Sequence, residues 1–316
     1  MYNHTPVLLS EVLGYLAPKP GDRIIDATLG GGGYTFAIAD RVGPDGIVAA
    51  LDMDELALDN AKLKAQGYAG AIRLNHANFA DIATIAEKEF GPHHSADGVV
   101  FDLGLSSAQL EDRRRGFSFQ ADAGLSMAFG SLISERKTEK IVNRTTVPEL
   151  ATLIREYGEE RFALPIAKAI DAARRIKPIA TTTELVAAIK QGMPPSARHG
   201  SNIHFATRTF QALRIATNDE LANLERALGS LRRILKPGAR IVVVSFHSLE
   251  DRIVKQFFRQ EAKDCICPPN LPACRCGHSA WLTILTKKAV SATEEEIETN
   301  PRSRSAKLRA ARVLTT

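Results

Sequence analysis

Residues 23–33 read Arg-Ile-Ile-Asp-Ala-Thr-Leu-Gly-Gly-Gly-Gly, a short apolar run that ends in four consecutive glycines. A second apolar run, Ile47 to Leu51, ends on Asp52. Glycines let the backbone approach a ligand without a Cβ in the way, and an acid at the end of the next strand can accept hydrogen bonds from both hydroxyls of a ribose. The pairing predicts a nucleotide-cofactor site at the carboxyl edge of a parallel sheet.

The glycine spacing narrows the choice of cofactor. A dinucleotide fingerprint, G-x-G-x-x-G, needs a glycine at its sixth position. Counted from Gly30 or Gly31, that position is Thr35 or Phe36, and the sequence contains no G-x-x-x-x-G-K-[ST] phosphate loop. A nucleoside cofactor without phosphates fits better, and S-adenosylmethionine is the common one.

Composition and charge set the class of protein. The chain has 316 residues, 44% of them hydrophobic, and a formal net charge of +5. This length can bury one large core or two smaller ones. No run of eighteen apolar residues occurs, so we expect no membrane span, and the first residues lack the basic leader and apolar segment of a signal peptide. We therefore expect a cytoplasmic protein with reduced cysteines.

Strand-like and helix-like segments alternate in the first third of the chain. The predicted strands are Arg23–Ala27, Ile47–Asp52, Ala71–Leu74 and Gly98–Leu103. This rhythm is typical of a parallel sheet covered on both faces. It stops after residue 103 and resumes more than a hundred residues later, which predicts an inserted domain. The predicted division is 1–110 with 216–316 for the sheet domain and 111–215 for the insert.

Further elements are predicted by periodicity and capping signals. The insert should be helical over Pro148–Tyr157, Glu159–Ile176 and Thr183–Lys190, the last one capped by Thr181 and Glu184. After the insert, Thr217 to Glu220 reads as a capping box that starts a helix, and Pro237-Gly238 should end it. The next strand is Arg240–Phe246, and Trp281–Val290 is predicted to pair with it as an antiparallel hairpin.

Six blocks of the chain resemble one family. They are His4 to Leu9, Phe101 to Ser107, Arg115 to Phe119, Ala206 to Ile215, Ser245 to Arg252 and Asn300 to Arg309. Together they are similar to the MraW family of bacterial 16S ribosomal RNA cytosine-N4 methyltransferases, and the similarity runs from end to end. The resemblance implies an α/β fold of the class I S-adenosylmethionine-dependent methyltransferases, Rossmann-like with a mainly parallel sheet, carrying an inserted helical domain for substrate recognition.

The resemblance also implies a set of cofactor-binding residues. They are Gly32, Gly33, Tyr34, Asp52, Phe79, Asp102 and Gln109. The first three belong to the glycine loop, Asp52 would hold the ribose, and Phe79 would lie near the adenine. Asp102 and Gln109 would reach the methionine end of S-adenosyl-L-methionine.

The implied reaction methylates the exocyclic N4 amine of a cytidine near the decoding centre of 16S rRNA. That amine is a poor nucleophile because its lone pair is delocalised into the ring, so it must be placed in line with the methyl group and offered hydrogen-bond acceptors. Asp102 is the candidate catalytic residue, and His247 is a second one, as a group whose pKa would permit proton transfer. Phe117, Phe119 and Phe246 are candidates for stacking on the base.

Four cysteines lie close together as Cys265-x-Cys267 and Cys274-x-Cys276. Structural zinc sites favour two residues between paired cysteines. We therefore expect a reduced, metal-free loop, with a zinc site as the alternative. Methyl transfer from a sulfonium needs no metal, so no catalytic metal is predicted.

Two basic clusters are the candidate RNA-binding residues. The first comprises Arg113, Arg114 and Arg115 with Phe117 and Phe119, and the second Arg302, Arg304 and Lys307, with Arg309 and Arg312 beyond it. Basic side chains can bind phosphates, and aromatic rings can stack on an unpaired base. The predicted partner is 16S rRNA within the small ribosomal subunit, although naked RNA is an open alternative, as is a homodimer.

The chain departs from the family pattern at several positions. Ser126 and Ala128 stand where an acid and an arginine are expected, Phe205 replaces a proline, and Tyr34 replaces the histidine of the glycine loop. A lost ion pair beside the target pocket motivates an alternative, a non-catalytic rRNA-binding or assembly protein that retains the fold. A nucleotide-dependent oxidoreductase, suggested only by the glycines and Asp52, is a third hypothesis.

Overall fold

The structure of the protein is a computed structural model that describes residues 6–68, 71–106, 109–110, 112–118, 122–130, 137–199, 204–268, 271 and 273–315. The chain divides into two compact units. We call Met1–Gly104 with Leu221–Thr316 the sheet unit and Leu105–Glu220 the helical unit. The predicted boundaries, after residue 110 and before residue 216, lie near these. The role of the insert in substrate recognition stays a prediction.

Seven strands among the described residues form one sheet in the order β3-β2-β1-β4-β5-β7-β6. Their bounds are β1 Arg23–Asp26, β2 Ile47–Asp52, β3 Ile72–His76, β4 Ala96–Asp102, β5 Leu235–Ser245, β6 Leu282–Ile284 and β7 Lys307–Val313. The pairs among β1 to β5 are parallel, and β7 runs antiparallel to both β5 and β6. The predicted mainly parallel, Rossmann-like sheet is therefore confirmed.

Helices surround the sheet and build the insert. Their bounds are α1 Leu9–Leu16, α2 Gly33–Val42, α3 Glu55–Ala65, α4 Ile82–Phe90, α5 Lys137–Arg144, α6 Val147–Gly158, α7 Ala163–Ile176, α8 Thr182–Gly192, α9 Pro195–His199, α10 Thr207–Asn218, α11 Glu220–Ile234, α12 Ser248–Glu261 and α13 Glu294–Thr299. No helix of the described residues combines the length and apolar character needed to cross a membrane.

Successive side chains along the strands alternate between two apolar clusters, so both faces of the sheet are buried. Ile25 and Phe101 belong to an apolar cluster that includes residues of α4 and α11, whereas Ile24 and Val100 belong to a cluster that includes residues of α1 and α2. Successive side chains of a strand point to opposite faces, so adjacent Ile24 and Ile25 serve different cores. A parallel sheet with both faces covered reads as continuous apolar runs, which is why these strands could be located from the sequence.

The order of the strands reverses beside β1. Connections lead from β1 to β2 and β3 on one side, while β4 and β5 lie on the other. The carboxyl ends of β1 and β4 therefore flank a topological switch point, where open α/β sheets bind their ligands.

The helical unit has a core of its own. Its fully buried side chains include Leu150, Ile154, Ile166, Ile170 and Leu185, from α6, α7 and α8. The predicted capping box at the start of α8 is confirmed, since Thr181 accepts a hydrogen bond from the backbone N–H of Glu184 and the Glu184 carboxylate accepts one from Thr181. The helix predicted from Glu159 begins instead at Ala163, because Glu159 is in the left-handed region with φ 48°.

The predicted helix start at Thr217 is wrong. Thr217 lies in the last turn of α10, and Asp219, with φ 55°, separates that helix from α11. A Thr-x-x-Glu spacing marks a helix start only when the first residue is extended, and here the apolar periodicity of α10 continues through it. Pro237-Gly238 does not end the helix either, because α11 stops at Ile234 and β5 already begins at Leu235.

The predicted hairpin at the sheet edge is also wrong. Only Leu282–Ile284 of the predicted strand Trp281–Val290 is a strand, and its partner is β7, not β5. β7 comes from the last basic block and inserts between β5 and β6. Its central residues, Leu308, Ala310 and Ala311, are fully buried. This strand was not predicted because arginines are interspersed among its apolar residues.

Candidate functional site

The glycine turn follows β1 and leads into α2. Gly30 and Gly32 have positive φ values of 48° and 77°, and the Gly32 N–H bonds to the Leu29 carbonyl at 2.7 Å. A Cβ on Gly33 would lie 2.1 Å from Cγ of Pro6. Gly31 differs, since it is exposed, has no positive φ and would place a Cβ in open space. The positive φ values explain the glycines at 30 and 32, and the contact with Pro6 explains the glycine at 33. At position 31, only the close approach of a ligand would require a glycine.

A fully buried acid at the end of β1 fixes this turn. Asp26 accepts hydrogen bonds from the Thr35 hydroxyl at 2.6 Å and from the backbone N–H of Thr28 at 3.1 Å. Burial raises the pKa of Asp26 to about 6, against the lowering effect of these hydrogen bonds. Sequence reasoning missed Asp26, although its place at the end of an apolar strand before the glycines was a usable signal.

Asp52 ends the adjacent strand and points at the same turn. One carboxylate oxygen accepts the N–H of Gly30 at 2.8 Å, and the other accepts the N–H of Asp54 at 2.8 Å. Burial raises its pKa above the ordinary range, partly offset by these backbone donors. Asp52 thereby joins the end of β2 to the glycine turn. It lies at the sheet edge where it was predicted to bind a ribose.

Asp102 ends β4, on the other side of the switch point. Its backbone N–H donates to the Thr28 hydroxyl at 2.6 Å, which links β4 to the turn after β1. Its side chain is buried, and Oδ1 has no hydrogen-bond partner among the described residues. Burial, with the nearby negative charges of Asp26 and Glu250, raises the pKa of Asp102 to about 8. A buried polar atom without a partner is costly, so this carboxylate is suited to a bound cationic or donor group.

Two other predicted cofactor residues lie close to this edge. Phe79 follows β3, is half-buried and meets Phe101 edge-on with ring centroids 6.1 Å apart. Tyr34 is buried, and its hydroxyl donates to the carbonyl of Val7. The Tyr34 side chain therefore anchors the segment before α1, and only its backbone is left to contact a cofactor.

His247 caps the helix that follows β5. It is the N-cap of α12, where its Nδ1 accepts the N–H of Glu250 at 3.4 Å. The buried Glu250 carboxylate in turn accepts the N–H groups of Phe246 at 2.9 Å and His247 at 3.3 Å. This reciprocal bonding is a capping box, with histidine in the place of the usual serine or threonine. Glu250 was missed from the sequence because of that unusual cap residue.

The first basic cluster offers less exposed surface than predicted. Arg115 is 3% exposed, and Phe117 is buried and stacked on Phe129, with ring centroids 5.9 Å apart. Arg114 is exposed and pairs with Asp112 through two contacts of 2.9 and 3.0 Å. Burial in the core of the helical unit thus removes Arg115 and Phe117 from a phosphate-binding or stacking surface.

The remaining predicted residues of the helical unit are only partly described. Phe119 and the side chain of Arg113 lie outside the described residues. Gln109 is buried, and its side-chain oxygen accepts the N–H of Ser106 at 3.1 Å. Its predicted contact with the methionine end stays a prediction.

The second basic cluster borders a cavity in the sheet unit. Arg304 and Lys307 line a cavity of about 250 Å³ together with His247, Ser248, Phe246, Ser291, Ser305 and Ala306. Arg302 and Arg304 lie exposed in the 3₁₀ turn before β7. Arg309 is different, because it forms an ion pair with Asp251 at 2.6 Å and lies in the strand. Its role is structural.

The segment with Ser126 and Ala128 is held through its backbone. The Ser126 carbonyl accepts the Thr138 hydroxyl at 2.7 Å, and the Met127 N–H donates to the Arg115 carbonyl at 2.9 Å. Ala128 is 7% exposed. Phe205, the third departure, packs against the core of the helical unit. The substitutions thus leave an ordered segment without a charged pair of its own.

A family model described as the MraW methylase family matches residues 1–314. The chain belongs to the MraW methylase family. Two relatives share the name ribosomal RNA small subunit methyltransferase H. The one from Thermomicrobium roseum is 49% identical over 98% of this chain and 93% of its own length, and the one from Pelobacter propionicus is 50% identical over 98% of each.

A solved structure shows a more distant likeness. A SAM-dependent O-methyltransferase from Thermotoga maritima is 11% identical with a TM-score of 0.40, covering 100% of this chain and 69% of that one. A TM-score this low supports no conclusion about this protein. The family membership, by contrast, favours a catalytic protein over a non-catalytic scaffold and excludes the oxidoreductase hypothesis.

The site fits the methyl donor of a methylase, which is S-adenosyl-L-methionine. This cofactor carries ribose hydroxyls and an ammonium group, and the sheet edge offers carboxylates at Asp52 and Asp102. The Asp102 oxygen that lacks a partner gives the clearest fit, because an ammonium would supply both a donor and a compensating charge. The open space at Gly31 leaves the turn accessible to a ligand.

Proposed function

We propose that this protein transfers a methyl group from S-adenosyl-L-methionine to the exocyclic N4 amine of a cytidine in 16S rRNA. The relatives named ribosomal RNA small subunit methyltransferase H support the rRNA substrate. The observation that carries the catalytic part is the buried carboxylate of Asp102, without a partner for Oδ1, at the switch point of the sheet. The choice of N4 rests on the family resemblance and on the chemistry below.

In this proposal, three acids at the carboxyl edge of the sheet have different roles in cofactor binding. Asp52 accepts hydrogen bonds from the ribose hydroxyls, and Asp102 holds the ammonium at the methionine end. Asp26 touches no ligand and positions the turn through Thr28 and Thr35. Gly33 contributes its backbone N–H at the start of α2, while Gly32, whose N–H is bonded to the Leu29 carbonyl, lets the backbone of the turn approach the cofactor. Phe79 forms a wall for the adenine, and Gln109 is a further contact at the methionine end.

Methylation of an amine sets specific demands on the protein. The bound cofactor supplies an electrophilic methyl group on a sulfonium, so no covalent bond between enzyme and base is required. The protein must place the amine in line and offer an acceptor that favours a pyramidal nitrogen. Asp102, placed at this edge, is the proposed acceptor. Methylation at C5 would need a cysteine nucleophile, and all four cysteines lie between residues 265 and 276.

His247 is better suited to positioning than to proton transfer. Its Nδ1 is engaged as the cap of α12, its Nε2 lies buried 3.1 Å from Oε1 of Glu250, and the Glu250 carboxylate accepts the backbone N–H groups of Phe246 and His247. The amine becomes acidic only after it has attacked, so a strong base is not needed. We therefore assign His247 to holding the end of β5 in place.

The RNA surface of this proposal is centred on the second basic cluster. Arg304 and Lys307 border the cavity beside His247, and Arg302 adds exposed charge. Cationic side chains supply the sequence-independent part of RNA affinity. The modest net charge of +5 favours a substrate recognised by shape, a small ribosomal subunit in the cytoplasm. A homodimer would be compatible with this substrate.

The test is a methylation assay on small ribosomal subunits from cells that lack this modification. Tritiated S-adenosylmethionine reports turnover, and mass spectrometry of the digested nucleosides identifies the product. We expect N4-methylcytidine in 16S rRNA, with the Asp102→Asn variant as the inactive control. A product methylated at C5 would contradict the N4 assignment. No methylation of either subunits or naked 16S rRNA would contradict the catalytic proposal.

A further inference from the structure

The segment between α12 and β6 has an irregular backbone that is closed at its base. The described residues of 263–280 contain neither helix nor strand. At the base, the Trp281 N–H donates to the Glu261 carbonyl at 3.0 Å, and the indole N–H donates to the Glu261 carboxylate at 2.5 Å. His278 bonds through Nδ1 to the Lys263 carbonyl at 2.9 Å. These contacts join the two ends of the segment, which we call the cysteine loop.

All four cysteines converge in the cysteine loop. The Sγ atom of Cys265 lies 3.4 Å from that of Cys274 and 3.8 Å from that of Cys276, and the Cys274 and Cys276 sulfurs are 3.5 Å apart. The Cys267 sulfur completes the group, in which all four sulfurs lie within 4.8 Å of one another. Two C-x-C pairs, at residues 265–267 and 274–276, thus meet at one point.

Apolar packing does not explain this convergence. Ile266 and Leu271, the large apolar side chains of the cysteine loop, are 41% and 44% exposed. Three of the four cysteines are exposed and the fourth is half-buried. A long connection without secondary structure or a core is uncommon in a compact domain unless something else orders it.

The distances fit four ligands of one ion. A Zn–S bond of about 2.3 Å places the corners of a tetrahedron about 3.8 Å apart, close to the three Sγ–Sγ distances given above. Disulfides need sulfurs at about 2.05 Å, which none of these pairs approaches. Two backbone donors also point at the sulfurs, since the Cys267 N–H lies 3.4 Å from Sγ of Cys265 and the Arg275 N–H 3.4 Å from Sγ of Cys267. Such donors stabilise thiolates around a metal.

We propose that Cys265, Cys267, Cys274 and Cys276 bind one structural zinc ion. Four sulfur ligands form a closed tetrahedral site with no position for water or substrate, so the ion would hold the cysteine loop together and take no part in methyl transfer. His278 is not a ligand, because its two ring nitrogens face Lys263 and Glu261. The proposal is independent of the proposed substrate and replaces the metal-free loop expected from the C-x-C spacing.

The experiment measures the metal content of the full chain purified under reducing conditions without added chelator. Plasma mass spectrometry should find one zinc per chain. The variants Cys267→Ser and Cys276→Ser should lose most of it, while Asp264→Ser, a matched change in the same loop, should keep it. Reconstitution with Co²⁺ should give the visible absorption of a tetrahedral thiolate complex. Removal of zinc should increase cleavage of the cysteine loop by a protease while cofactor binding persists.

Several results would overturn the proposal. One is a folded protein with four titratable thiols and no zinc, even after incubation with Zn²⁺ under reducing conditions. Another is zinc that stays bound in both serine variants. Iron with acid-labile sulfide, or two disulfides found by peptide mapping of protein purified with blocked thiols, would equally exclude a mononuclear zinc site.

Discussion

The carboxyl edge of the sheet and the residues Arg114 and Phe117 of the helical unit were both predicted to be functional, yet they differ in the contacts that their side chains make. At the sheet edge, Asp102 keeps a buried oxygen without a partner among the described residues. In the helical unit, Arg114 is paired with Asp112, and Phe117 is stacked in the core. A buried polar atom without a hydrogen-bond partner is suited to bind a ligand. A side chain whose contacts are all made within the protein is explained by the fold. The contrast distinguishes Asp102, which we propose binds the cofactor, from Arg114 and Phe117.

The largest effect should come from Asp102→Asn. If the carboxylate holds the ammonium and the incoming amine, turnover should fall about a hundredfold or more, because electrostatic positioning in the transition state is lost. Binding of S-adenosylhomocysteine should fall less. The matched control is Asp97→Asn near the opposite end of β4, where the acid pairs with Lys236 at 2.8 Å, and its turnover should be unchanged. Equal small losses in turnover and binding would make Asp102 a peripheral residue.

Asp52→Ala should weaken cofactor binding while the fold survives. Each hydrogen bond to a charged acceptor contributes about 1.5–3 kcal/mol, so the loss of ribose contacts should raise the Kd for S-adenosylhomocysteine at least about tenfold. Titration calorimetry measures the affinity, and a thermal scan checks the fold, since Asp52 also accepts the Gly30 and Asp54 N–H groups. Asp59→Ala on α3 removes an exposed acid as control. Unchanged affinity in the Asp52 variant would refute the ribose assignment.

The structural roles of Phe117 and Arg114 in the helical unit are tested with Phe117→Ala and Arg114→Ala. Removal of the buried ring should destabilise the helical unit by about 3 kcal/mol, whereas loss of the exposed Arg114–Asp112 pair should leave the stability almost unchanged. Denaturant unfolding gives both values, and binding to small subunits gives the effect on RNA contact. A stable Phe117→Ala protein that no longer binds subunits would restore the predicted stacking role.

A further effect is expected in the pH dependence of stability. Because the pKa of Asp102 is raised to about 8 in the folded protein, its contribution to stability is fully present below the ordinary carboxyl pKa and is lost as the pH rises towards 8. The Asp102→Asn variant should therefore gain stability relative to the unliganded wild type between about pH 4 and pH 8. Urea unfolding across this range measures the difference. A constant difference would show that Asp102 is ionised throughout.

The sequence predicted the central strands of the sheet better than its outer strands. β1, β2 and β4 are apolar on both faces and end in Asp26, Asp52 and Asp102, so their pattern marked both the strands and the acids at their ends. β7 was missed because its buried Leu308 and Ala310 alternate with Lys307 and Arg309 in a block that read as RNA-binding.

Contacts over a long sequence distance are what the sequence could not provide. The Asp102 N–H bond to Thr28 spans 74 residues, and the Arg309 pair with Asp251 spans 58. Spacing rules cannot reveal such partners. The same holds for the cysteine loop, where the local C-x-C spacing argued against a metal while the folded backbone brings all four sulfurs together.

The most direct test of the central claim is the proton balance of cofactor binding. Calorimetric titration of S-adenosylhomocysteine at pH 7, repeated in buffers of different ionisation enthalpy, counts the protons released. With a pKa of about 8, Asp102 is mostly protonated in the unliganded protein, and an ammonium held beside it would drive the proton off. The account predicts release of about one proton in the wild type and none in Asp102→Asn. Equal proton release in both proteins would contradict the assignment of Asp102 to the methionine end.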